Sequence, residues 1–372
     1  MAMFYVLGTA FVTEEELRGR QSSIRDFNEM FRKDRNRAKV DFSTGTLRGD
    51  NIMEGEKITP FKPIKIGLPL TIEIRHVYTG KFPEPGWGGK EKDMLVTSAM
   101  KHNIGAIDAS PRAINILEKK VLPKYSTDGL SVTTKGTPLV YYSPALIEKN
   151  SVLKLEVGFD DFPKEFFDAI SNVLIQASGI PIFMAANSYL VAGGIIAKLA
   201  GDIGERLFEK PPVLGAKEKI FFERSGESIP IADFRVVTND NSIDEDLLKQ
   251  LKFDVNKGLV DEAGRPYDGD EPYMVISLDG GKNEEYKGFT PTVASTALIE
   301  KFYGIVQDEQ KKPLDLFIDA AQLYSDFSLR CRADDLEEKL KNPNSDDYEK
   351  TKQLYNALRE NIKNKDLKPK AI

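Results

Sequence analysis

Residues 61–160 alternate between short runs with the hydrophobic pattern of β-strands and turns rich in glycine and proline. Alternation of apolar and polar residues places one set of side chains on each face of a strand, so each run predicts a strand with one buried face. Short strands at this spacing favour an antiparallel β-sandwich over a parallel sheet with crossover helices. The predicted strands are 68–80, 92–101, 113–121, 137–146 and 151–160.

The same pattern returns after Pro211 and Pro212, which end the helical pattern before them. The runs at 218–226, 230–240 and 271–281 predict a second set of strands. Between them, "IDEDLLKQLKFDVNKG" predicts a short acidic helix. A second β module is therefore expected over 213–290.

The segment "SYLVAGGIIAKLAGDIGERLFE" (188–209) is predicted to be a helix with an apolar face, a charged face and a row of small residues. Small residues four positions apart let two helix backbones approach closely. Glycine inside a helix costs about 0.5–1 kcal/mol relative to alanine, so close packing is expected to offset it. The predicted contact residues are Gly193, Ala197 and Gly201.

The preceding segment predicts the first arm of a helical hairpin that spans 163–210. Pro163 stands at the first helical position, Gly179 ends the helix, and its apolar residues form one stripe. Three interpretations stay open for the second arm: close packing against the 164–178 helix or the sheet, contact with a membrane, or burial in a protein partner. Charge on the second arm argues against spanning a bilayer, but not against lying in its interface.

The C-terminal region predicts helices. One covers 290–304, a longer one covers 313–343, and a last one begins with Ser345 as its N-cap. The last two form a predicted antiparallel pair joined by "NPNS" (342–345). The lysine-rich end, "NKDLKPKAI", is expected to fray.

These patterns together predict the α+β class, with antiparallel β-sandwich modules, an amphipathic helical hairpin that interrupts them, and a helical C-terminal region. Five parts are expected along the chain: an N-terminal strand with a basic helix and loop, a β-sandwich module, the helical hairpin, a second β module and the C-terminal helices. Their predicted bounds are 1–60, 61–160, 161–212, 213–290 and 291–372.

Composition narrows the function classes. The formal net charge of −6 argues against a dedicated nucleic-acid binder, because binding to phosphates requires clustered positive charge. Cys331 is the one cysteine, so no intramolecular disulfide requires an oxidising compartment. The apolar run at 3–12 has no basic segment before it, which favours a buried strand over a signal peptide. We therefore expect a soluble, cytoplasmic protein.

Two acidic clusters are the candidate metal ligands. Carboxylate oxygens are suited to Ca²⁺, but neither cluster has the central glycine and terminal glutamate of an EF-hand loop. β-Sandwich domains such as C2 domains bind Ca²⁺ through loop aspartates, and the strand pattern is similar to that class in general character. The sequence predicts no cofactor beyond this weak Ca²⁺ possibility, and its candidate ligands are Asp268, Asp270 and Glu271 in one cluster and Asp240 and Asp244 in the other.

Two further features are candidates for contact with a partner. Trp87, the only tryptophan, lies in a glycine-rich loop. An exposed tryptophan there would anchor an interface, and the alternative is that its ring folds back on the protein as a lid. A basic segment at 18–39, with Arg32, Arg35 and Arg37, could meet an acidic partner or form a solvated helix face.

The motifs of familiar catalytic sites are absent from the sequence. Two Gly-Gly-Lys turns lack the spacing of a phosphate-binding loop, and the chain has no nucleophile elbow, zinc-protease or dinucleotide-binding motif. Cys331 is predicted to be an inert helical residue. His76 is predicted to be a half-buried, hydrogen-bonded strand residue on the same face as Ile72 and Ile74.

These observations predict a non-enzymatic binding, adaptor or assembly subunit that acts through protein–protein contacts, with a protein partner or a second copy of itself. One alternative is a membrane-active effector that uses the 163–210 hairpin at a membrane surface. The other is an enzyme, a hydrolase, whose site is assembled from dispersed carboxylates.

Overall fold

The structure is a computed structural model that describes most of the β-rich part of the chain and its C-terminal region. The described residues are 3–7, 10–13, 62–84, 91–102, 112–127, 136–164, 167–168, 170, 182–185, 189–192, 195–198, 211–222, 232, 234–239, 243, 245–254, 256–284, 286 and 312–372.

One antiparallel sheet combines strands from distant parts of the chain. Its strands are β1 (Met3–Leu7), β2 (Ala10–Thr13), β3 (Leu70–Tyr78), β6 (Leu139–Ser143), β12 (Phe234–Thr238) and β15 (Tyr273–Asp279). They lie in the order β2-β1-β12-β15-β3-β6. The two predicted β regions and the N-terminal strand segment therefore share one sheet. The predicted single strand at 3–12 is an antiparallel hairpin of β1 and β2.

A second antiparallel sheet has seven described strands. The long predicted strands at 92–101, 113–121 and 151–160 are confirmed as strands. Burial alternates along the strand at 151–160, whereas residues 94–99 and 113–117 are buried on both strand faces. The strands of this sheet are β4 (Lys92–His102), β5 (Arg112–Val121), β7 (Asn150–Asp160), β8 (Ile182–Ala185), β9 (Tyr189–Ala192), β10 (Ile195–Lys198) and β11 (Leu214–Phe221). They lie in the order β10-β9-β8-β5-β4-β7-β11.

Apolar residues of both sheets form one hydrophobic cluster. Ile72 and Ile74 of β3 belong to it together with Val96 of β4 and Leu155 of β7. A buried polar residue also joins the sheets: Asn115 on β5 donates from its side-chain nitrogen to the carbonyl oxygen of Leu139 on β6 at 2.9 Å. Burial of this apolar surface is the main stabilising contribution to the packing of the β region.

A small unit covers the opposite face of the first sheet. It contains the short helix α1 (Glu245–Gln250) and an antiparallel hairpin of β13 (Lys252–Asp254) and β14 (Gly258–Val260). Leu248, Phe253 and Leu259 from this unit form a second apolar cluster with Val236 of β12 and Val275 of β15. The predicted short acidic helix is confirmed as α1.

The C-terminal region forms the predicted helical pair, α2 (Lys312–Leu340) and α3 (Tyr348–Asn361). Ala333 and Leu340 of α2 pack with Tyr355 and Leu358 of α3. The start of α3 differs from the prediction: Asp347 rather than Ser345 is at the N-cap. Ser345 instead belongs to a turn, where its carbonyl oxygen accepts a hydrogen bond from the Tyr348 amide at 2.9 Å.

The C-terminal tail, which was expected to fray, packs back on the helical pair. The hydroxyl of Tyr355 donates to the carbonyl oxygen of Lys370 at 2.9 Å, and Nε of Arg359 donates to that of Pro369 at 3.0 Å. The buried carboxylate of Asp326 accepts a hydrogen bond from the Asn364 amide at 2.7 Å. The lysine-rich composition predicts fraying because it does not show that carbonyl oxygens of the tail accept hydrogen bonds from Tyr355 and Arg359.

The predicted helix at 188–209 is wrong where the structure describes it. Tyr189–Ala192 and Ile195–Lys198 are strands β9 and β10, paired with Ala192 opposite Ile195. Gly193 and Gly194 stand between them in the sequence, as in a two-residue β-hairpin, and the flanking valine and isoleucine residues favour strands. At the described residues 189–192 and 195–198, the helix on which the membrane alternative depends is therefore not formed.

The first predicted arm of that hairpin is described at few positions. Lys164, Phe167, Asp168 and Ile170 are helical, and Phe167 and Ile170 are buried, as expected for residues three apart on one helix face. The other residues of the predicted stripe, Phe166, Val173, Leu174 and Ala177, lie outside the described residues. Among the described helices, none combines the length and apolar character needed to cross a membrane.

Candidate functional site

Strand β3, with the sequence LTIEIRHVY, is buried along its whole length. Leu70, Ile72, Ile74 and Val77 contribute to the hydrophobic cluster shared by both sheets. The remaining side chains are polar, and burial of polar groups costs free energy unless they find partners. This polar face of β3 is the strongest candidate site in the described structure, and its residues are Thr71, Glu73, Arg75, His76 and Tyr78.

A β-bulge at Arg75 sets which side chains reach the polar face. In the pairing with β15, His76 is opposite Val275 and Ile74 is opposite Ile276, so Arg75 is the extra residue. The bulge shifts the alternation by one position and places His76 with Tyr273 rather than with Ile74. The prediction that His76 shares a face with Ile72 and Ile74 is therefore wrong.

Glu73 and Arg75 form a buried ion pair with two additional partners. The Arg75 guanidinium contacts the Glu73 carboxylate and donates from Nε to Oγ of Ser277 at 2.7 Å. The Tyr286 hydroxyl donates to the other carboxylate oxygen of Glu73 at 2.6 Å. These contacts offset the large desolvation cost of placing two opposite charges inside the protein.

The last residue of β15 adds a further buried charge beside the polar face of β3. Asp279, also buried, lies opposite Thr71, and its Oδ1 accepts hydrogen bonds from the amides of Lys62 and Gly281, each at 2.8 Å. Hydrogen bonds to a carboxylate are charge-assisted and stronger than neutral ones. Asp279 thereby attaches the chain before β3 to the end of β15.

Beyond the bulge, four rings form an aromatic cluster: His76, Tyr78, Tyr267 and Tyr273. Tyr273 stacks on both neighbours, with centroid distances of 5.6 Å to His76 and 5.2 Å to Tyr78. Tyr267 meets Tyr78 and Tyr273 edge-on at 5.5 and 5.8 Å. Such stacked and edge-on contacts add to the stabilisation from burial.

Hydroxyl groups attach the aromatic cluster to nearby backbone. The Tyr78 hydroxyl donates to the Gly269 carbonyl oxygen at 2.8 Å, and the Tyr273 hydroxyl accepts a hydrogen bond from the Leu259 amide at 2.8 Å. Burial raises the pKa of both hydroxyls, and Tyr267, Asp268 and Asp270 raise that of Tyr78 further. Both hydroxyls consequently stay protonated at neutral pH.

His76 differs from Tyr78 and Tyr273 in the hydrogen bonding of its side chain. Its side chain is fully buried, and neither Nδ1 nor Nε2 has a hydrogen-bond partner among the described residues. Burial lowers the pKa of His76 to about 4, and the Asp254 carboxylate opposes this effect by raising it. The imidazole is therefore neutral at pH 7, and the expectation of a hydrogen-bonded, half-buried histidine is wrong.

Gly258, at the start of β14, lies directly against this imidazole. Its φ is +77°, and a Cβ at this position would lie 2.4 Å from Nε2 of His76 and 2.3 Å from the Tyr273 hydroxyl. Only glycine combines this backbone angle with so close an approach. The backbone of the β13–β14 hairpin therefore lies in direct contact with the aromatic cluster.

The chemistry available to this site is proton binding. Glu73 and Arg75 neutralise each other, whereas the ring nitrogens of His76 have no partner in the described part of the chain. A neutral imidazole can accept a proton, and its charge would then lie beneath the β13–β14 hairpin. The polar face of β3 thus combines a rigid ion-pair network with one unsatisfied basic group.

The predicted acidic ligands are only partly described. Asp268 and Asp270 are exposed and Glu271 is half-buried. Burial raises the pKa of Tyr267, a backbone hydrogen bond from Glu271 lowers it, and the negative charges of all three residues raise it further. Within the described residues, no group of three or more histidine, cysteine, aspartate or glutamate side chains could hold a metal ion. Asp240 and Asp244 lie outside the described residues.

Most of the predicted contact residues also lie outside the described part. These are Trp87, Gly193, Gly201, Arg32, Arg35 and Arg37. Ala197 is described as part of β10, where it pairs with Leu190 of β9. His102 is the last residue of β4, and Cys331 is exposed on α2.

A separate feature of interest is on α2. Leu323 and Phe327 are one helical turn apart and are 48% and 55% exposed. We call these two residues the α2 patch. On the same helix, Asp326 and Ala333 are buried, so the patch is on a side that the C-terminal packing leaves accessible.

Sequence reasoning missed Glu73, Arg75, Tyr273 and Tyr286. The sequence has one local signal for the first two, a pair of opposite charges two residues apart on the polar side of an alternating strand. Tyr286 has no such signal, because it reaches Glu73 from 213 positions away.

Comparison with known proteins identifies no relative. Neither a family model, nor a curated protein, nor a solved structure matches this chain. Its function is therefore inferred from its own residues.

Proposed function

We propose that this protein is a non-enzymatic binding or assembly subunit that acts through protein–protein contacts. The observation that carries the proposal is the α2 patch, in which Leu323 and Phe327 are exposed side by side on a helix. A fully buried leucine or phenylalanine side chain contributes about 1.5–3 kcal/mol relative to an exposed one, so a partner that covers both gains substantial affinity.

The support for α2 makes the patch a suitable contact surface. The opposite side of the helix packs on α3, and Arg332 contacts Glu148 with 3.3 Å between Nη1 and Oε1. Asn361 at the end of α3 donates to the carbonyl oxygen of Ala145 at 2.6 Å. A patch held against the β region in this way loses little conformational freedom on binding.

The proposed architecture is a β-sandwich formed by the two sheets, with the helical pair fixed at its side. The shared cluster of Ile72, Ile74, Val96 and Leu155 supports this arrangement. We also propose that the protein acts in the cytoplasm, since its single cysteine leaves no intramolecular disulfide to form.

The proposal is tested by the oligomeric state and partners of the full chain. We expect light scattering or sedimentation to show a mass above that of the monomer, or pull-down experiments to isolate a defined partner. The double variant Leu323→Ser, Phe327→Ser should weaken this association at least tenfold.

Leu122 supplies the matched control, because it is 50% exposed and lies outside the helical pair. Leu122→Ser should leave association unchanged. A chain that is monomeric at all concentrations, and whose pull-downs give the same proteins with and without the α2 patch, would contradict the proposal.

A further inference from the structure

The β13–β14 hairpin closes over a basic side chain that has no hydrogen bond to any described residue. His76 is fully buried, its ring stacks on Tyr273, and Gly258 of the hairpin lies against its Nε2. No described residue accepts a hydrogen bond from, or donates one to, either ring nitrogen. The closed arrangement therefore accommodates the neutral imidazole, and it offers the imidazolium ion no hydrogen-bond acceptor among the described residues.

Protonation changes this balance. The imidazolium ion has two N–H donors and a positive charge, and a buried charge without hydrogen-bond partners is strongly unfavourable. The ring can obtain partners only if water reaches it. Water reaches it most directly when the hairpin over Nε2 moves away.

The hairpin is the element best able to move. Its strands have three residues each and, in the described structure, belong to neither large sheet. Outside the hairpin, β14 is joined to the turn that follows it, by the bridge of Val260 to Pro266 and the hydrogen bond from the Tyr267 amide to the Leu259 carbonyl oxygen at 2.7 Å. Its polar contact with the sheet is the hydrogen bond from the Leu259 amide to the Tyr273 hydroxyl, and Phe253 and Leu259 add apolar contacts. β3 and β15, by contrast, each pair with two neighbouring strands.

The charged and titratable groups on the surrounding elements have distinct effects. Asp254 on β13 favours a protonated His76, and Lys257 lies in the turn of the same hairpin. On β3, Arg75 is paired with Glu73, and on β3 and β15 Tyr78 and Tyr273 are neutral. The Asp254 carboxylate therefore helps to set the pH at which the ring gains its proton.

We propose that the β13–β14 hairpin is an acid-sensitive lid over the aromatic cluster of β3, and that it opens when His76 takes up a proton. Opening exposes the rings of His76 and Tyr273 together with the apolar side chain of Leu259. The lid is a regulatory device that does not depend on the α2 patch, so either proposal can fail without the other.

Amide hydrogen exchange between pH 7.5 and pH 4 tests the lid directly. The reporter is the Leu259 amide, and the reference amides are those of Val96 and Leu155 in the β4–β7 pair. After correction for the intrinsic pH dependence of exchange, the opening constant at Leu259 should rise about tenfold per pH unit between 6.5 and 4, about 300-fold in all.

Three variants separate His76 from other acid effects. His76→Phe keeps an aromatic ring against Tyr273 and should make the opening constant at Leu259 independent of pH. Asp254→Asn should lower the pKa of the ring in the closed protein only, so the rise in the opening constant should continue to lower pH and become larger. This variant serves if His76→Phe does not fold. His102→Asn is the matched control at the other histidine and should leave the transition unchanged.

The lid proposal would be overturned by any of three results. One is a pH-independent opening constant at Leu259 in the unaltered protein. Another is an opening constant at Leu259 that is no larger than those at Val96 and Leu155 at every pH, which would mean that the hairpin opens only in global unfolding. The third is a rise that survives His76→Phe, or one that Asp254→Asn does not enlarge.

Discussion

The hydroxyl of Tyr286 donates a hydrogen bond to Oε1 of Glu73 at 2.6 Å, and the two residues are 213 positions apart in the chain. Glu73 uses its other carboxylate oxygen to contact Arg75. One buried carboxylate thus connects the chain after β15 to the bulge of β3. The stability of this region should depend on each of these contacts.

Tyr286→Phe should lower the free energy of unfolding by about 1–2 kcal/mol, because it removes a hydrogen bond to a buried charge and keeps the ring. Urea denaturation measures the change. Tyr348→Phe is a matched control, since the half-buried Tyr348 has no side-chain hydrogen bond to another described residue. Equal effects of the two substitutions would show that the Glu73 contact contributes nothing.

Arg75→Met and Glu73→Gln should each destabilise the protein by about 3–5 kcal/mol, because each leaves an uncompensated charge or donor in the interior. The double variant should be destabilised by clearly less than the sum of the two, since it removes both charges. Chemical denaturation of all four proteins gives the coupling energy. Additive effects would contradict a direct interaction in solution.

Gly258→Ala should destabilise the protein by more than about 2 kcal/mol, because the added Cβ would meet His76 and Tyr273 as well as an unfavourable φ. Gly264→Ala is the matched control: its φ is +74°, and a Cβ there would meet no described atom within 4 Å. It should cost only the backbone strain, about 1 kcal/mol. Thermal and urea denaturation should separate the two variants.

Global stability should fall on mild acidification in a way that depends on His76. Burial lowers the pKa of His76 from 6.5 to about 4, so between these values the unfolded chain binds more protons than the folded protein. The contribution is fully present above pH 6.5 and is lost as the pH falls to 4, about 3 kcal/mol in all.

Other groups also titrate in this range, so the measurement is the difference between the unaltered protein and His76→Phe in urea denaturation at each pH. That difference should change by about 3 kcal/mol between pH 7 and pH 4. A difference that stays constant over this range would show that His76 does not titrate differently in the folded and unfolded states.

Removal of residues 364–372 should destabilise the helical pair. Arg359, Tyr355 and Arg330 would lose the carbonyl acceptors of Pro369, Lys370 and Leu367. At about 1 kcal/mol for each net hydrogen bond, the expected loss is about 2–3 kcal/mol. Thermal denaturation measures it, and removal of residues 371–372 alone is the control, which should have little effect.

Local patterns in the sequence are sufficient where one face of an element is buried and the other is not. β7 is an example, since its alternating residues match its alternating burial. The same holds for α2 and α3, whose bounds follow the predicted helices to within a few residues. In these elements, the spacing of apolar residues along the sequence matches the geometric repeat of a strand or a helix, so the sequence identifies the buried face.

The segment at 189–198 shows where that reasoning fails. Its small and apolar residues fit a helix with a row of glycines and equally a hairpin with two glycines in its turn. The pairing of β8 with β5 and β9 places this segment at one side of the second sheet. That choice depends on strands far away in the chain, which a local pattern does not contain.

The sequence by itself determined the antiparallel β-rich class and the C-terminal helical pair, because both follow from short-range periodicity. Only the tertiary structure decided the candidate site. The bulge at Arg75 reverses the side to which His76 points, and Tyr286 reaches Glu73 only because β15 pairs with β3. Strand pairing and the placement of a bulge are set by long-range packing, so residues with no local motif came together on one buried face.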